Sequence, residues 1–311
     1  MATRAQPKNQ DGKNYLFILL GGIFVIAVLV ILAYALGSAS SFLPLEGCVG
    51  VIQISGPIVS QDIGASMFSD GVKGAESIAQ EIEKADARSD VKSVIVLVDS
   101  PGGSVVGSKE IYDSLRALNK PSVAYINEMA ASGGYYVASA ADYIVSQPDA
   151  LTGNIGARAT ISDMSGLFAK IGYNETSVKS GAMKDMGSSS RPMTLEEYAV
   201  FQSIINESFQ QFRSDVEAGR GKRLDSAGFA TALDARIFSG RQAKKIGLID
   251  ELGNKKRAIQ KAAELGGIDS KEPAICDLSP SQGKKGLLGS LSSEALGFVA
   301  RSAGVPRLSY Q

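Results

Sequence analysis

The stretch Ser93-Val94-Ile95-Val96-Leu97-Val98-Asp99-Ser100-Pro101-Gly102-Gly103-Ser104 sets the architecture. Ser93 to Val98 is apolar without alternation, the pattern of a strand buried on both faces of a sheet. The Pro-Gly-Gly turn ends the run, and Ile111, Leu115 and Leu118 then fall on one face of a helix. Ser122 to Ile126 reads as the next strand, Tyr135 to Ala141 as a short helix and Tyr143 to Ser146 as a further strand. Upstream, Val51 to Ile54 is a short strand, and Ala75 to Ala85 is a helix with Ile78, Ile82 and Ala85 on one side. Strand and helix alternating at this spacing predict βαβ units and a mostly parallel α/β sheet.

Two glycine turns follow strands in this pattern. The second reads Asn127-Glu128-Met129-Ala130-Ala131-Ser132-Gly133-Gly134-Tyr135-Tyr136. A serine among small residues at a strand-to-helix turn presents its hydroxyl, and Gly133 and Gly134 allow a peptide backbone to approach. Unpaired N–H groups at the helix start suit a developing oxyanion. Ser132 is therefore a candidate nucleophile, although the same residues also suit a plain helix start packed on a sheet. In the first turn, Gly102 and Gly107 have the separation of a phosphate-binding loop, but Ser108-Lys109 reverses the required Lys-Ser/Thr order, which argues against nucleotide binding. The other reading is that Gly102 and Gly103 turn N–H groups toward an oxyanion at Ser132, since open α/β sheets place their sites at the carboxyl ends of strands.

Composition narrows the chemistry. The 311 residues contain no histidine, which excludes a Ser-His-Asp triad and any His-ligated metal. A serine nucleophile here needs another base, and a lysine whose pKa is lowered by burial is the common alternative. The 32 basic and 32 acidic residues cancel, so the chain has no basic footprint for nucleic acid. Cys48 and Cys276 fit no zinc spacing; they could pair with each other outside the cytoplasm.

The N-terminal part reads as an anchor. Residues 1–14 are polar, and 15–36 form an uncharged apolar run of about 22 residues, enough to span a bilayer as a helix. The first charge beyond it is Glu46 and the first base Lys73, so the positive-inside rule places the N-terminus in the cytoplasm and the rest outside. Ser38-Ala39-Ser40 resembles a signal-peptidase site, but the apolar run exceeds a signal-peptide h-region. Residues 37–49 then form a linker, 50–278 the α/β domain and 279–311 a flexible, Gly-, Ser- and Lys-rich tail.

Beyond the second turn, Leu151 to Ala159 reads as a strand entered from a turn. Lys179 to Arg191, rich in Ser, Gly and Met, reads as a mobile loop holding Lys179 and Lys184. Lys184 has Ala182, Met183, Met186 and Gly187 around it, so its amine could lie against apolar surface; an ordinary exposed loop lysine is the alternative. Thr194 starts a long helix with Glu197 completing a capping box. Its apolar stripe, Tyr198, Phe201, Ile205, Phe209, Phe212 and Val216, serves either a core or a neighbouring copy. Ile237-Phe238 is strand-like, Arg241 to Lys245 is helical, and Lys255 to Leu265 is the last helix.

Five motifs, in order, resemble the bacterial signal peptide peptidases of the SppA (protease IV) type in their short, single-repeat form. They are Asp99 to Ser104, Met129 to Tyr136, Thr152-Gly153-Asn154-Ile155-Gly156, Lys179 to Asp185, and Arg236 to Ala243 leading to Gly247-Leu248-Ile249-Asp250. The resemblance runs from about Val51 to Ala263. It implies the Clp-protease/crotonase-like α/β fold, with Ser132 as nucleophile and Lys184, rather than Lys179, as general base. Gly102, Gly103 and Gly133 would supply oxyanion donors. One position departs from the pattern: Asn154 stands where the family's serine bonds the catalytic amine.

The implied activity is that of a membrane-anchored serine endopeptidase with a Ser-Lys dyad and no cofactor or metal. It would cleave apolar peptides, such as released signal peptides, outside the cytoplasmic membrane. The family's long form carries its lysine and serine in different repeats. A chain with one repeat is therefore expected to form a homo-oligomeric ring that pairs Ser132 of one copy with Lys184 of the next. The competing readings are a crotonase-like acyl-CoA enzyme and a catalytically inactive anchored scaffold.

Overall fold

A computed structural model describes residues 24–32, 47–66, 71–278 and 309–310. Two compact units divide the chain, Met1–Glu46 and Gly47–Gln311. In the first, residues 24–32 are helical with exposed side chains. Among the described residues no helix is long and apolar enough to cross a membrane. Most of the expected span, 15–36, lies outside the described residues.

The second unit alternates strands and helices from its first residue. Strand β1 (Cys48–Ser55) leads to helix α1 (Ala75–Ala87), then to β2 (Val91–Ser100). A two-residue strand β3 (Gly103–Ser104) precedes α2 (Val105–Ala117), whose start is capped by the Ser104 hydroxyl accepting from Gly107 N–H. Strand β4 (Ser122–Ala131) runs directly into α3 (Gly133–Ser139), and β5 (Tyr143–Ser146) and β6 (Leu151–Gly153) follow. After α4 (Ser165–Ile171) comes the long helix α5 (Leu195–Arg220). Then come α6 (Ser226–Ala232), β7 (Ile237–Ser239), α7 (Gly240–Lys245), β8 (Glu251–Leu252), α8 (Lys255–Leu265), β9 (Ile275–Asp277) and β10 (Ser309–Tyr310).

Eight strands form one sheet in the order β7-β6-β4-β2-β1-β9, with β5 beside β4 and β8 beside β5. Every pairing in it is parallel except β6 with β7. The run through β2 explains the absence of alternation. Val94, Val96 and Val98 face α1, α2 and α3, while Ile95 joins Val49, Val123 and Val145 against Ala258 and Ala262 of α8. Both faces are thus covered, and the buried strand residues are mostly apolar.

Several expected boundaries differ. β1 starts at Cys48 rather than Val51, because Cys48 pairs with Val91 and is bonded to Cys276. The disulfide joins the first residue of β1 to β9, the last strand of the sheet. β4 runs on past Ile126 to Ala131, pairing first with β5 and then with β6. The strand expected over 151–159 stops at Gly153, because Asn154 turns to a positive φ of 55°. The stripe on α5 is divided in use. Phe212 and Val216 are buried in the core and Phe209 packs against it, whereas Tyr198 is 58% exposed.

Candidate active site

Ser132 ends β4 and caps α3 with φ 54° and ψ −123°. These are the angles of the first central residue of a type II′ turn, a place that favours glycine. A serine there carries strain of about 1–3 kcal/mol. The surroundings hold it. Ser132 N–H donates to Gly153 O at 2.9 Å, and Ser132 O accepts from Tyr136 N–H at 2.9 Å. The side chain is buried, yet Oγ has no hydrogen-bond partner among the described residues. An orphaned buried hydroxyl is unfavourable in a finished structure and useful for a nucleophile that awaits its base.

The two glycine turns meet at this point. A Cβ on Gly133 would lie 3.3 Å from both Gly102 Cα and Gly103 N, and 2.3 Å from Ser108 Oγ. A Cβ on Gly134 would lie 2.6 Å from Ser100 O. Gly102, at φ 99°, is already engaged: its N–H donates to Ser100 Oγ at 3.1 Å and its carbonyl accepts from Ile58 N–H at 2.9 Å. Gly103 bridges Ile58 on one side and pairs antiparallel with Tyr310 of β10 on the other. An extended segment of the chain's own C-terminal end therefore lies along the strand beside the Ser132 turn.

Lys184 sits on a single 3-10 turn, Ala182–Asp185, and is exposed. It does not reach Ser132 Oγ within one chain, since that oxygen has no partner. Among the described residues the apolar shelter expected for its amine is absent. Lys179 is engaged differently: its Nζ donates to Asp185 Oδ1 at 2.5 Å and to Ala182 O at 3.1 Å. Arg191 bridges Asp185 and Glu197, completing a cluster that pins the segment expected to be mobile. Arg191 and Lys179 hold the Asp185 carboxyl far below the usual range, and Arg191 with the Thr194 N–H lowers Glu197 to about 2. The capping box of Thr194 and Glu197 is formed as expected.

Asn154 is half-buried, and its Nδ2 donates to Ala235 O at 2.6 Å. By inventory its Oδ1 is then the one side-chain atom that could accept from an amine. Sequence reasoning missed two supports. Thr152 Oγ1 donates to Ala130 O inside the β4–β6 pairing, at 2.8 Å. Tyr136, one turn after Ser132, stacks on Phe212 at 4.4 Å and donates to Asp215 Oδ2, tying α3 to α5. The Tyr135-Tyr136 pair was the available signal, since a buried tyrosine needs a partner for its hydroxyl.

A family model described as peptidase family S49 matches residues 114–269, half of the chain. The chain belongs to peptidase family S49. The Clp protease model matches residues 68–151, in line with the parallel α/β sheet. Among similar proteins, one of Methanocaldococcus jannaschii with a provisional protease name is 36% identical over 213 residues. The chloroplastic serine protease SPPA of Arabidopsis thaliana is 31% identical over 228 residues, and Protease 4 of Salmonella typhi 30% over 242. These alignments cover 68%, 72% and 75% of this chain. They span 67%, 33% and 38% of the three relatives. The S49 match takes in Ser132, Asn154, Lys179 and Lys184 together.

Proposed function

We propose that this S49 peptidase is a membrane-anchored serine endopeptidase in which Ser132 of one copy is activated by Lys184 of a neighbouring copy. The observation that carries the reading is Ser132 itself, strained in its backbone, with a buried hydroxyl that has no partner among the described residues, beside two glycine turns. Lys184 is the base rather than Lys179, because Lys179 is spent on Asp185. A free lysine is protonated at neutral pH, so an exposed Lys184 is a poor base until something covers it. The segment that carries it shows what could do so. Leu167, Ile171, Val178 and Leu195 are 49%, 66%, 99% and 91% exposed, an apolar surface suited to a second copy.

The chemistry then runs without a cofactor. Neutral Lys184 takes the Ser132 proton as Oγ attacks a peptide carbonyl, and the oxyanion meets the N–H groups of Gly103 and Gly133. Gly102 is the weaker donor candidate, since its N–H is held by Ser100. The C–N bond breaks, Lys184 returns the proton to the leaving amine, and water activated by the same amine releases the acyl group. Pairing of β10 with β3 supports an extended peptide along this edge, read through main-chain hydrogen bonds.

Placement outside the cytoplasmic membrane rests on the apolar run over 15–36 and on the Cys48–Cys276 disulfide, which persists in oxidising compartments. Released signal peptides, apolar and close to the membrane, are the substrate class that the SppA resemblance supplies. The test is hydrolysis of a fluorogenic signal-peptide-like substrate by detergent-solubilised protein. Ser132→Ala and Lys184→Ala should be inactive and Lys179→Ala active. Activity surviving in Ser132→Ala would overturn the assignment.

A further inference from the structure

Three non-glycine residues among those described have positive φ: Ser132 at 54°, Asn154 at 55° and Ala235 at 64°. They belong to one hydrogen-bonded chain. The peptide plane between Gly153 and Asn154 accepts Ser132 N–H at its carbonyl and donates its own N–H to Arg236 O, both at 2.9 Å. The Asn154 side chain adds the second bond, Nδ2 to Ala235 O at 2.6 Å. Asn154 thus holds two consecutive carbonyls, one with its backbone and one with its amide. The space around this arrangement is closed. A Cβ on Gly153 would lie 2.8 Å from Phe238, and one on Gly156 would lie 2.7 Å from the Ala235 Cβ.

We infer that Asn154 is a positioning residue for the nucleophile: it clamps Ala235 in its left-handed conformation and so aims the Gly153 carbonyl that holds Ser132 in its strained turn. The inference rests on Ser132 being the nucleophile, as proposed above. It accounts for the departure at this position. A serine could bond a lysine amine, but its shorter side chain has no amide to span to Ala235. Asparagine also tolerates positive φ better than other residues with a side chain, whereas alanine at 235 does not. Strain stored at Ser132 and Ala235 is the kind that surrounding structure must over-determine.

The test compares wild type, Asn154→Gly, Ala235→Gly and the Asn154→Gly/Ala235→Gly double variant. Glycine at 154 keeps the backbone angles and removes the whole side chain, the Nδ2 donor together with the Oδ1 acceptor, and the pH profile tells the two losses apart. Loss of one such bond, at about 1.4 kcal/mol per tenfold, predicts a kcat about tenfold lower with KM within about twofold. The pH profile should be unchanged, because the clamp does not touch the base. Adding Ala235→Gly should restore most of the loss, since glycine adopts φ 64° without a clamp. Hydrogen exchange at the Ser132 amide gives a readout independent of turnover: about tenfold faster in Asn154→Gly and restored in the double variant. A shifted pH profile in Asn154→Gly would assign the residue to the lysine instead and overturn the clamp. So would unaltered Ser132 exchange, or a double variant no better than the single. If the wild type does not hydrolyse peptides, the peptidase reading fails while the exchange data still decide the clamp.

Discussion

Reducing the Cys48–Cys276 disulfide should lower the melting temperature substantially. The bond spans 228 residues, from the first residue of β1 to the last strand of the sheet. Chain-entropy arithmetic for a loop of that length gives about 18 cal/mol/K, or about 5 kcal/mol at 25 °C. Without it, β9 is held by three residue pairs with Val49, Gly50 and Val51 and by the packing of Leu278. In a domain of this size each kcal/mol is worth about 2–4 °C, so the shift should reach about 10–20 °C. The assay is thermal unfolding with and without a dithiol reductant, alongside a Cys48→Ser/Cys276→Ser variant and a thiol titration. The variant should melt with the reduced wild type and ignore the reductant. If titration shows two thiols freed on reduction and the melting temperature stays put, the staple contributes nothing and the reasoning fails.

Three further outcomes follow from the site. Gly134→Ala should abolish hydrolysis and lower stability by about 1–3 kcal/mol, because its Cβ would meet the Ser100 carbonyl at 2.6 Å, a backbone atom that cannot swing away; calorimetry and the peptide assay read both. Ser132→Gly should melt no lower than wild type while losing all turnover, since glycine relieves the positive φ of the nucleophile turn. The Asp185–Arg191–Glu197 cluster should loosen in acid. Both carboxyls have depressed pKa values, so their contribution is complete above the unfolded value near 4 and is lost as pH falls toward about 2, the value for Glu197. Exchange protection of residues 182–197, corrected for intrinsic rates, should fall across that window in wild type and already be low at neutral pH in Arg191→Ala.

Much of this was legible in the chain because its signals are local. The unbroken Ser93–Val98 run announced a sheet dry on both faces, and α8 over Ala258 and Ala262 supplies the second cover. The capping box at Thr194 fixed the start of α5 to the residue. Less legible were features made by distant segments meeting. The pinning of Lys179 needs Asp185 and Arg191 in one place, and composition rich in Ser and Gly read instead as mobility. The end of β6 at Gly153 depends on Ala235 and Arg236, some eighty residues away. Lys184 was singled out by motif, and no local pattern says that a single chain leaves it exposed and away from Ser132.

In the proposed assembly one chain supplies the nucleophile and another the base. Its most direct test mixes Ser132→Ala and Lys184→Ala protein, each inactive alone, under conditions where exchange of copies is confirmed by labelled subunits. Activity should return, to about a quarter of wild type for equal random mixing across a head-to-tail interface. Confirmed mixing with no recovered hydrolysis would contradict it.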